Sequence, residues 1–296
     1  MNKGQLKEKN MSAQLATVTT ALVTDQNDKF YSVQKEGITY QLDKSEGDYQ
    51  LGDAVQGFIY ENMKHTKMMT TRLPEVRQGR YGWSTVTAIR KDLGVFVDIG
   101  LADKEIVVSL DDLPSEKHLW PKKGDRLFIR LEVDKKDRIW GKLAEDQVFQ
   151  QITNKLSPQS KSWTNQEVKG TVYHAKLVGT YVITDDYFLA FIHESERLEE
   201  PHLGQEVQGR VIGIGQNGNL NISLKPLAHT VISEDAQMIL ALLQRQPNHF
   251  LPYHDKSNPD DIRDYFGISK AQFKRALGNL LKNRQIEQVD GGIRLK

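Results

Sequence analysis

Residues 93–100 constrain the fold more than any other part of the chain, because their side chains alternate strictly in character. The aliphatic members of this segment point to one side of an extended backbone, while Phe96 and Asp98 point to the other. A one-sided aliphatic face indicates a β-strand packed on a hydrophobic core. Phe96 is therefore predicted to lie on the outward face, where burial alone does not explain an aromatic ring.

The segments around this strand place it in a small barrel. They are residues 84–89 before it, and residues 124–134 and 138–143 after it. Four such segments, in order over roughly 60 residues, suit a barrel of short strands. They resemble an S1 domain, a small RNA-binding barrel of the oligonucleotide-binding (OB) kind, with Ser84 where the family usually has glycine.

Parts of the same pattern recur on both sides of this central copy. Residues 11–71 contain short strand-like segments, and residues 51–55 resemble residues 124–127, so a degenerate first copy is expected there. Residues 168–225 resemble the S1 order again and form a third copy. Three related units at intervals of roughly 60–80 residues indicate an internal repeat in which each barrel closes its own core.

The periodicity changes between the copies and again near the end of the chain. Residues 144–159 lack β-branched alternation and are predicted to be a helix that packs as a spacer between barrels. Its predicted apolar stripe comprises Val148, Phe149, Ile152 and Leu156, and Pro158 is predicted to end it.

Helix signals dominate from Ser233 onwards. Ser233 is predicted to cap one helix, Asn258-Pro259 to start a second that stops at Gly267, and Ser269 to open a third with a capping box. A hairpin around Asp290-Gly291-Gly292 closes the sequence. This order of elements resembles a winged helix.

Composition limits the classes of protein that remain. The formal net charge is +1 with 27% charged residues, so any basic surface must be local. The absence of cysteine excludes a disulfide framework, thiol catalysis and cysteine-bound zinc. No stretch approaches the roughly 18 apolar residues of a membrane span, and residues 1–10 do not resemble a signal peptide, so a cytoplasmic location is expected. Met11 is an alternative native start, with residues 1–10 as a weakly ordered extension.

Strand parity in the central copy places aromatic rings among cations on faces that are not the aliphatic core. Bases stack on aromatic rings and cations bind phosphates, which is the chemistry of a surface for single-stranded nucleic acid. The alternative is that these rings pack against a neighbouring domain. The predicted RNA-binding residues from parity are Phe96, Phe128, Arg130, Trp140 and Lys142.

The S1 resemblance implies further contacts, position by position. Many members use two aromatic side chains around the glycine of the second strand, a histidine on the third strand, and a late aspartate and arginine. The matching positions are Leu93, Phe96, Ser109, Asp134 and Arg138 in the central copy, and Val178, Tyr181, His193, Gly215 and Asn219 in the third copy. Each copy holds part of the set, so modest affinity per barrel is expected, summed over tandem copies. Tyr181 and His193 could instead be ordinary half-buried sheet residues.

A run of cations without any acid lies between Tyr265 and Ile286. A basic recognition helix suits a phosphate backbone or a groove, although a solvated helix face is the alternative. Duplex DNA and structured RNA both remain open as its partners. The predicted nucleic-acid-binding residues are Lys270, Lys274, Arg275, Lys282 and Arg284.

Catalytic and metal-binding patterns are not found in the sequence. His249 and His254 lack the ligand partners of a metal site, and neither a P-loop nor a nucleophile elbow occurs. The chain is therefore predicted to be no enzyme, with no cofactor and no metal.

The whole arrangement resembles the bacterial conserved virulence factor B family. It predicts a multidomain, mainly β chain with three S1-type OB-fold barrels in tandem plus a C-terminal α/β winged-helix domain. The expected boundaries are 1–71, 72–145 and 167–227 for the barrels, 146–166 for a helical linker and 228–296 for the winged helix.

This resemblance implies a cytoplasmic, non-catalytic RNA-binding regulator of gene expression, virulence genes included. The expected partner is single-stranded RNA, with duplex DNA or structured RNA open for the winged helix and no membrane. Association with the ribosome or a ribonuclease is a further option. The alternative is a transcriptional regulator in which the winged helix binds DNA and the barrels bind other proteins.

Overall fold

The structure of the chain is a computed structural model that describes residues 15–160, 162–176, 178–226 and 233–296. The alternative start at Met11 and the predicted boundary at residues 227–228 lie outside the described residues. The chain divides into two compact units between Leu224 and Lys225, and each is described by itself.

The first unit contains three closed barrels of five strands each. In every barrel the third strand pairs in parallel with the fifth, and the other pairs are antiparallel. The first barrel consists of β1 (Val18–Gln26), β2 (Phe30–Lys35), β3 (Ile38–Asp43), β4 (Ala54–Glu61) and β5 (Lys67–Thr70). The second consists of β6 (Gly82–Arg90), β7 (Gly94–Asp98), β8 (Ile106–Ser109), β9 (Arg126–Val133) and β10 (Ile139–Leu143). The third consists of β11 (Glu167–Lys176), β12 (Gly179–Thr184), β13 (Leu189–His193), β14 (Glu206–Ile214) and β15 (Leu220–Ser223).

The alternating residues of the central copy are alternately buried and half-buried, as predicted. Val95 and Val97 on β7 are fully buried, as are Leu127, Ile129 and Leu131 on β9. The residues between them are only half-buried. Strand parity therefore identified the inside and the outside of the second barrel correctly.

A glycine begins β7 and β12 because the third strand of each barrel passes very close to it. At Gly94 φ is +136°, and an added Cβ would lie 2.0 Å from the carbonyl oxygen of Val108. At Gly179 φ is +149°, and the corresponding contact with Ile192 is 2.4 Å. Only glycine fits such backbone angles and so close an approach.

Two details of the first unit differ from the sequence prediction. Strand β5 was not predicted, because its four residues, KMMT, carry neither β-branched alternation nor a clear turn signal. The helix between barrels, α1 (Asp146–Ile152), is less than half as long as predicted. The chain leaves the helix because the backbone N–H groups of Asn154 and Leu156 donate to Tyr187 and Gly218 of the third barrel. Ile152, predicted to be buried, is exposed.

The second unit has the three helices and the closing hairpin predicted for a winged helix, and one short strand, Phe250–Leu251, that was not predicted. Its elements are α2 (Glu234–Arg245), β16 (Phe250–Leu251), α3 (Pro259–Phe266), α4 (Lys270–Lys282), β17 (Ile286–Val289) and β18 (Gly292–Leu295). The three strands form one sheet in the order β16-β18-β17. The apolar faces of the helices pack with this sheet around Ile239, Phe273 and Leu280.

The predicted capping box at the start of α4 is present. Ser269 Oγ accepts a hydrogen bond from the Gln272 backbone N–H at 3.3 Å, and Gln272 Oε1 accepts one from the Ser269 backbone N–H at 3.1 Å. We expect Ser269→Ala to lower the free energy of unfolding of this unit by about 1 kcal/mol, because the first turn of α4 loses a partner for its free N–H groups. Thermal unfolding of the full chain tests this, and an unchanged transition of the winged helix would contradict it.

Among the described residues, no helix has both the length and the apolar character needed to cross a membrane.

Candidate nucleic-acid interface

The three barrels share a register, so their outward faces can be compared residue by residue. The first strand of each barrel carries a bulge at the same place, just before Asp25, Ala88 and His174. From these residues a row of outward side chains crosses to the second, third and fifth strands. The three rows are Asp25–Ser32–Gln41–Met68, Ala88–Phe96–Val107–Trp140 and His174–Tyr181–Phe191–Asn221.

The row of the second barrel contains two of the predicted rings. Phe96 on β7 and Trp140 on β10 are half-buried, and Val107 on β8 lies between them. Because neighbouring strands are about 4.8 Å apart, the two rings stand about 10 Å from each other across the barrel surface. Both rings can therefore offer a surface to the solvent side.

Arg138 and Asp134 flank Trp140. The Arg138 guanidinium lies over the indole ring, 5.2 Å from its centroid. The Asp134 carboxylate accepts hydrogen bonds from Arg138 Nε at 2.7 Å, from Trp140 Nε1 at 3.1 Å and from the backbone N–H of Lys136 at 2.8 Å. Through these hydrogen bonds, Asp134 holds the side chains of Arg138 and Trp140 in place within the predicted site.

The same hydrogen bonds make the stability of the second barrel depend on pH. Partial burial alone would raise the pKa of Asp134, but the bonds from Arg138, Lys136 and Trp140 outweigh it and hold that pKa well below its ordinary value. A lowered pKa in the folded state stabilises the fold above the ordinary carboxyl pKa of about 3.9. This contribution declines below that pH and is lost only as the pH falls through the lowered pKa of the folded state. We expect Asp134→Asn to be less stable than the wild type at pH ~7, with the gap in stability narrowing as the pH falls from about 4 to about 2. Unfolding midpoints across this range test it; a gap independent of pH would refute the assignment.

The other two predicted cations of the second barrel are also paired with carboxylates. Arg130 donates to Glu132 at 2.5 Å, and Lys142 donates to Asp112. Arg130 and Lys142 are neighbours across the β9–β10 pair. The predicted positive surface is therefore largely neutralised within the barrel itself.

Phe128 lies on a different side of the barrel from the other two rings. It packs between Trp83 and Phe149, with ring centroids 5.0 and 5.6 Å away, and stacks on Tyr81 at 5.8 Å. This cluster continues into Ile183 and Leu189 of the third barrel. Phe128 therefore packs against a neighbouring domain, which was the alternative to RNA binding, because the third barrel and α1 dock on its face of β9.

The row of the third barrel brings together one predicted ring and one that the sequence analysis missed. Tyr181 on β12 and Phe191 on β13 are half-buried neighbours with centroids 5.1 Å apart. Phe191 shares strand parity with His193, which was predicted, so parity along β13 could have identified it. His174 completes the row beside Tyr181.

His193 lies next to this row and is exposed. The Ser195 backbone N–H donates to its Nδ1 at 3.2 Å, so Nε2 is the nitrogen that can carry the ring proton towards a ligand. Lys176 Nζ stands 5.1 Å from the centroid of the Tyr181 ring. The third barrel therefore combines two rings, a histidine and a cation on one face.

His174 and Lys176 share one carboxylate, that of Asp146 at the start of α1. The carboxylate accepts from His174 Nδ1 at 2.7 Å and from Lys176 Nζ at 2.8 Å. Partial burial raises the pKa of Asp146, but these two hydrogen bonds outweigh it, so the pKa lies below its ordinary value.

The corresponding row of the first barrel has no ring at the stacking positions. Ser32 and Gln41 stand where the other barrels have Phe96 and Val107, or Tyr181 and Phe191. Met68, at the end of this row, is buried in the core shared with the second barrel. The first barrel therefore uses part of the equivalent face for packing.

The winged helix presents its predicted cations at the surface. Lys274, Arg275, Lys282 and Arg284 are exposed, and Lys270 is half-buried. The opposite side of α4 carries the buried Phe273, Leu277 and Leu280. This polarity suits contact with a phosphate backbone.

Within the described residues, no group of three or more His, Asp or Glu side chains is arranged to hold a metal ion. The chemistry that this surface supports is stacking of planar groups and binding of anionic oxygens.

Comparison with known proteins extends this picture over the whole chain. Family models match residues 17–72 (S1 domain), 81–142 (CvfB first S1-like domain), 149–226 (virulence regulatory factor CvfB, second domain) and 237–295 (CvfB-like winged helix domain). A crystal structure of a multidomain protein with nucleic acid binding domains from Streptococcus pneumoniae is 50% identical, with a TM-score of 0.71 over 96% of this chain and 99% of that chain.

Two curated relatives cover nearly the same length. The chain is 40% identical to the uncharacterized protein YitL of Bacillus subtilis over 274 residues, which is 92% of this chain and 90% of that protein. It is 34% identical to conserved virulence factor B of Staphylococcus epidermidis over 277 residues, or 94% of this chain and 90% of the relative. With successive matches to its domains and a relative of this extent, the chain belongs to the conserved virulence factor B family.

Proposed function

We propose that this protein is a non-catalytic RNA-binding protein whose second and third barrels bind single-stranded RNA. The observation that carries the proposal is the pair of outward rows, in which Phe96 and Tyr181 stand at matched positions on the second strands. Each row holds one further ring, Trp140 on β10 in the second barrel and Phe191 on β13 in the third. Every base has a flat face that stacks on such rings, and adjacent cations bind the backbone. S1 and winged-helix family membership supports nucleic-acid binding in general.

The proposal includes a role in post-transcriptional regulation of gene expression in the cytoplasm, virulence genes included. Its support is the name of the family, conserved virulence factor B, together with RNA-binding chemistry on two barrels. A protein of this kind acts on transcripts directly, or beside the ribosome or a ribonuclease. Co-purification of these assemblies with the full chain distinguishes the two routes.

A second candidate function is DNA-dependent transcriptional regulation through the winged helix. The observation in its favour is the exposed cation cluster on and after α4, which includes Lys274, Arg275 and Lys282. A recognition helix of this charge fits the major groove of a DNA duplex.

A competition experiment separates the two functions. The full chain binds a fluorescent, unstructured RNA of about 16 nucleotides, and unlabelled single-stranded RNA or duplex DNA of the same length displaces it. We expect the RNA to compete at lower concentration, and the affinity to fall steeply with salt as phosphate contacts are screened. Better competition by duplex DNA would favour the transcription factor and reject the RNA proposal.

A further inference from the structure

A cleft of about 600 Å³ lies between the second and third barrels and is lined by residues of both. Lys142 borders the cleft on the side of the second barrel and lies two residues from Trp140 along β10. His174 borders it on the side of the third barrel and lies beside Tyr181. Its position between the two barrels makes this cleft a route for an RNA strand that stacks on both rows. Its lining, however, includes the carboxylates of Asp112, Glu145 and Asp146.

The carboxylate of Asp146 accepts hydrogen bonds in this cleft in the way that a bound external anion would. Its two carboxylate oxygens take one hydrogen bond each, at 2.7 Å from His174 Nδ1 and at 2.8 Å from Lys176 Nζ. The donors lie on β11 of the third barrel, whereas Asp146 begins α1. Since Lys176 also stands over the Tyr181 ring, the carboxylate marks a position for anionic oxygen beside a stacking platform.

The opposite wall repeats the arrangement. Lys142 of β10 donates to Asp112, which lies in the turn after β8. Both pairs reach the solvent: the side chains of Lys176 and Asp146 are 39% and 36% exposed, and those of Lys142 and Asp112 are 39% and 16% exposed. Ion pairs between partly exposed groups contribute little to stability, so another anion can replace the carboxylate.

We propose that this cleft is a phosphate-binding site for RNA crossing between the two barrels, and that Asp146 and Asp112 occupy it until a phosphate replaces them. The inference rests on the proposed RNA binding and deepens it by naming where the backbone is held. Phosphodiester oxygens accept the hydrogen bonds of His174, Lys176 and Lys142 that the carboxylates accept in the free protein. The carboxylates thereby weaken RNA binding, because each contact must first break an internal pair.

The test is Asp146→Asn in the full chain, with the RNA of about 16 nucleotides as the probe. The amide removes the competing charge but keeps the size of the side chain. We expect RNA to bind about two- to fivefold more tightly, which is the range in which exposed ion pairs act. We also expect a steeper salt dependence, by about 0.7 in the logarithmic slope for one additional phosphate contact.

Glu206→Gln is the matched control. It makes the same change of charge in the same barrel and releases Lys169, paired at 2.9 Å, far from the row at the other end of β11. Lys176→Gln in the Asp146→Asn background is the second variant, and it should cancel the gain.

The outcomes separate the two proposals. A gain in Asp146→Asn that exceeds Glu206→Gln and disappears with Lys176→Gln supports the phosphate site. Equal gains in both single variants, or no gain in Asp146→Asn while the wild type binds RNA, overturn the site and leave the proposed function in place. No binding of RNA by any of these proteins overturns both.

Discussion

Replacing Phe149 by alanine is expected to lower the free energy of unfolding of the barrel unit by about 3–5 kcal/mol, the cost of removing a buried phenylalanine. Phe149 is 2% exposed and stacks on Tyr173 with ring centroids 4.0 Å apart. It also contacts the ring of Phe128, so one side chain of α1 joins the second barrel to the third. The surrounding rings belong to separate barrels and cannot easily collapse into the space left behind.

Chemical denaturation of the full chain measures this loss. Ile152→Ala is the control, because Ile152 ends the same helix but is 38% exposed, and its truncation should change stability by less than about 0.5 kcal/mol. If both variants unfold at the same denaturant concentration, Phe149 does not hold the two barrels together.

Replacing Tyr181 by alanine is expected to weaken RNA binding by about 1–3 kcal/mol, or about 5- to 150-fold, because a base loses its stacking surface. Phe96→Ala should act in the same range, since Phe96 occupies the equivalent place in the second barrel. Both side chains are half-buried and lie outside the aliphatic cores, so both variants should stay folded.

Titration of the same fluorescent RNA measures these losses. Tyr181→Phe keeps the ring and should bind nearly as the wild type, which separates stacking from hydrogen bonding by the hydroxyl. Tyr187→Ala removes an exposed tyrosine of the same barrel from the turn after β12, away from the row, and should leave affinity unchanged. Unchanged affinity in folded Tyr181→Ala and Phe96→Ala would remove the basis of the proposed interface.

The internal pairing of the cations agrees with the low net charge of the chain. Arg130, Arg138, Lys142 and Lys176 each have a carboxylate partner at hydrogen-bonding distance. Such a surface attracts a polyanion only weakly at long range, so for the proposed RNA binding we expect stacking and short-range exchange of anions to contribute more than they would on a strongly basic barrel. A locally neutralised surface also limits non-specific binding to duplexes.

Much of the fold was predictable because it depends on local sequence patterns. The alternation in residues 93–100 identified a strand and its inner face, and capping residues such as Ser269 identified the helices of the winged helix. Strand β5 and the true end of α1 were not predictable in this way. Four residues carry too little periodicity, and α1 ends where backbone hydrogen bonds to the third barrel replace helical ones.

The sequence by itself determined which side chains leave the barrel interior, because strand parity follows from backbone geometry alone. Parity predicted Phe96 and Phe128 as outward rings alike, and the S1 resemblance added Tyr181. Only the tertiary structure decided that Phe128 is covered by α1 and the third barrel, whereas Phe96 and Tyr181 lie in matched outward rows. The pairing of Asp146 with His174 and Lys176 could not be predicted from the sequence either. It joins residues about 30 positions apart, and their contact depends on how two barrels dock.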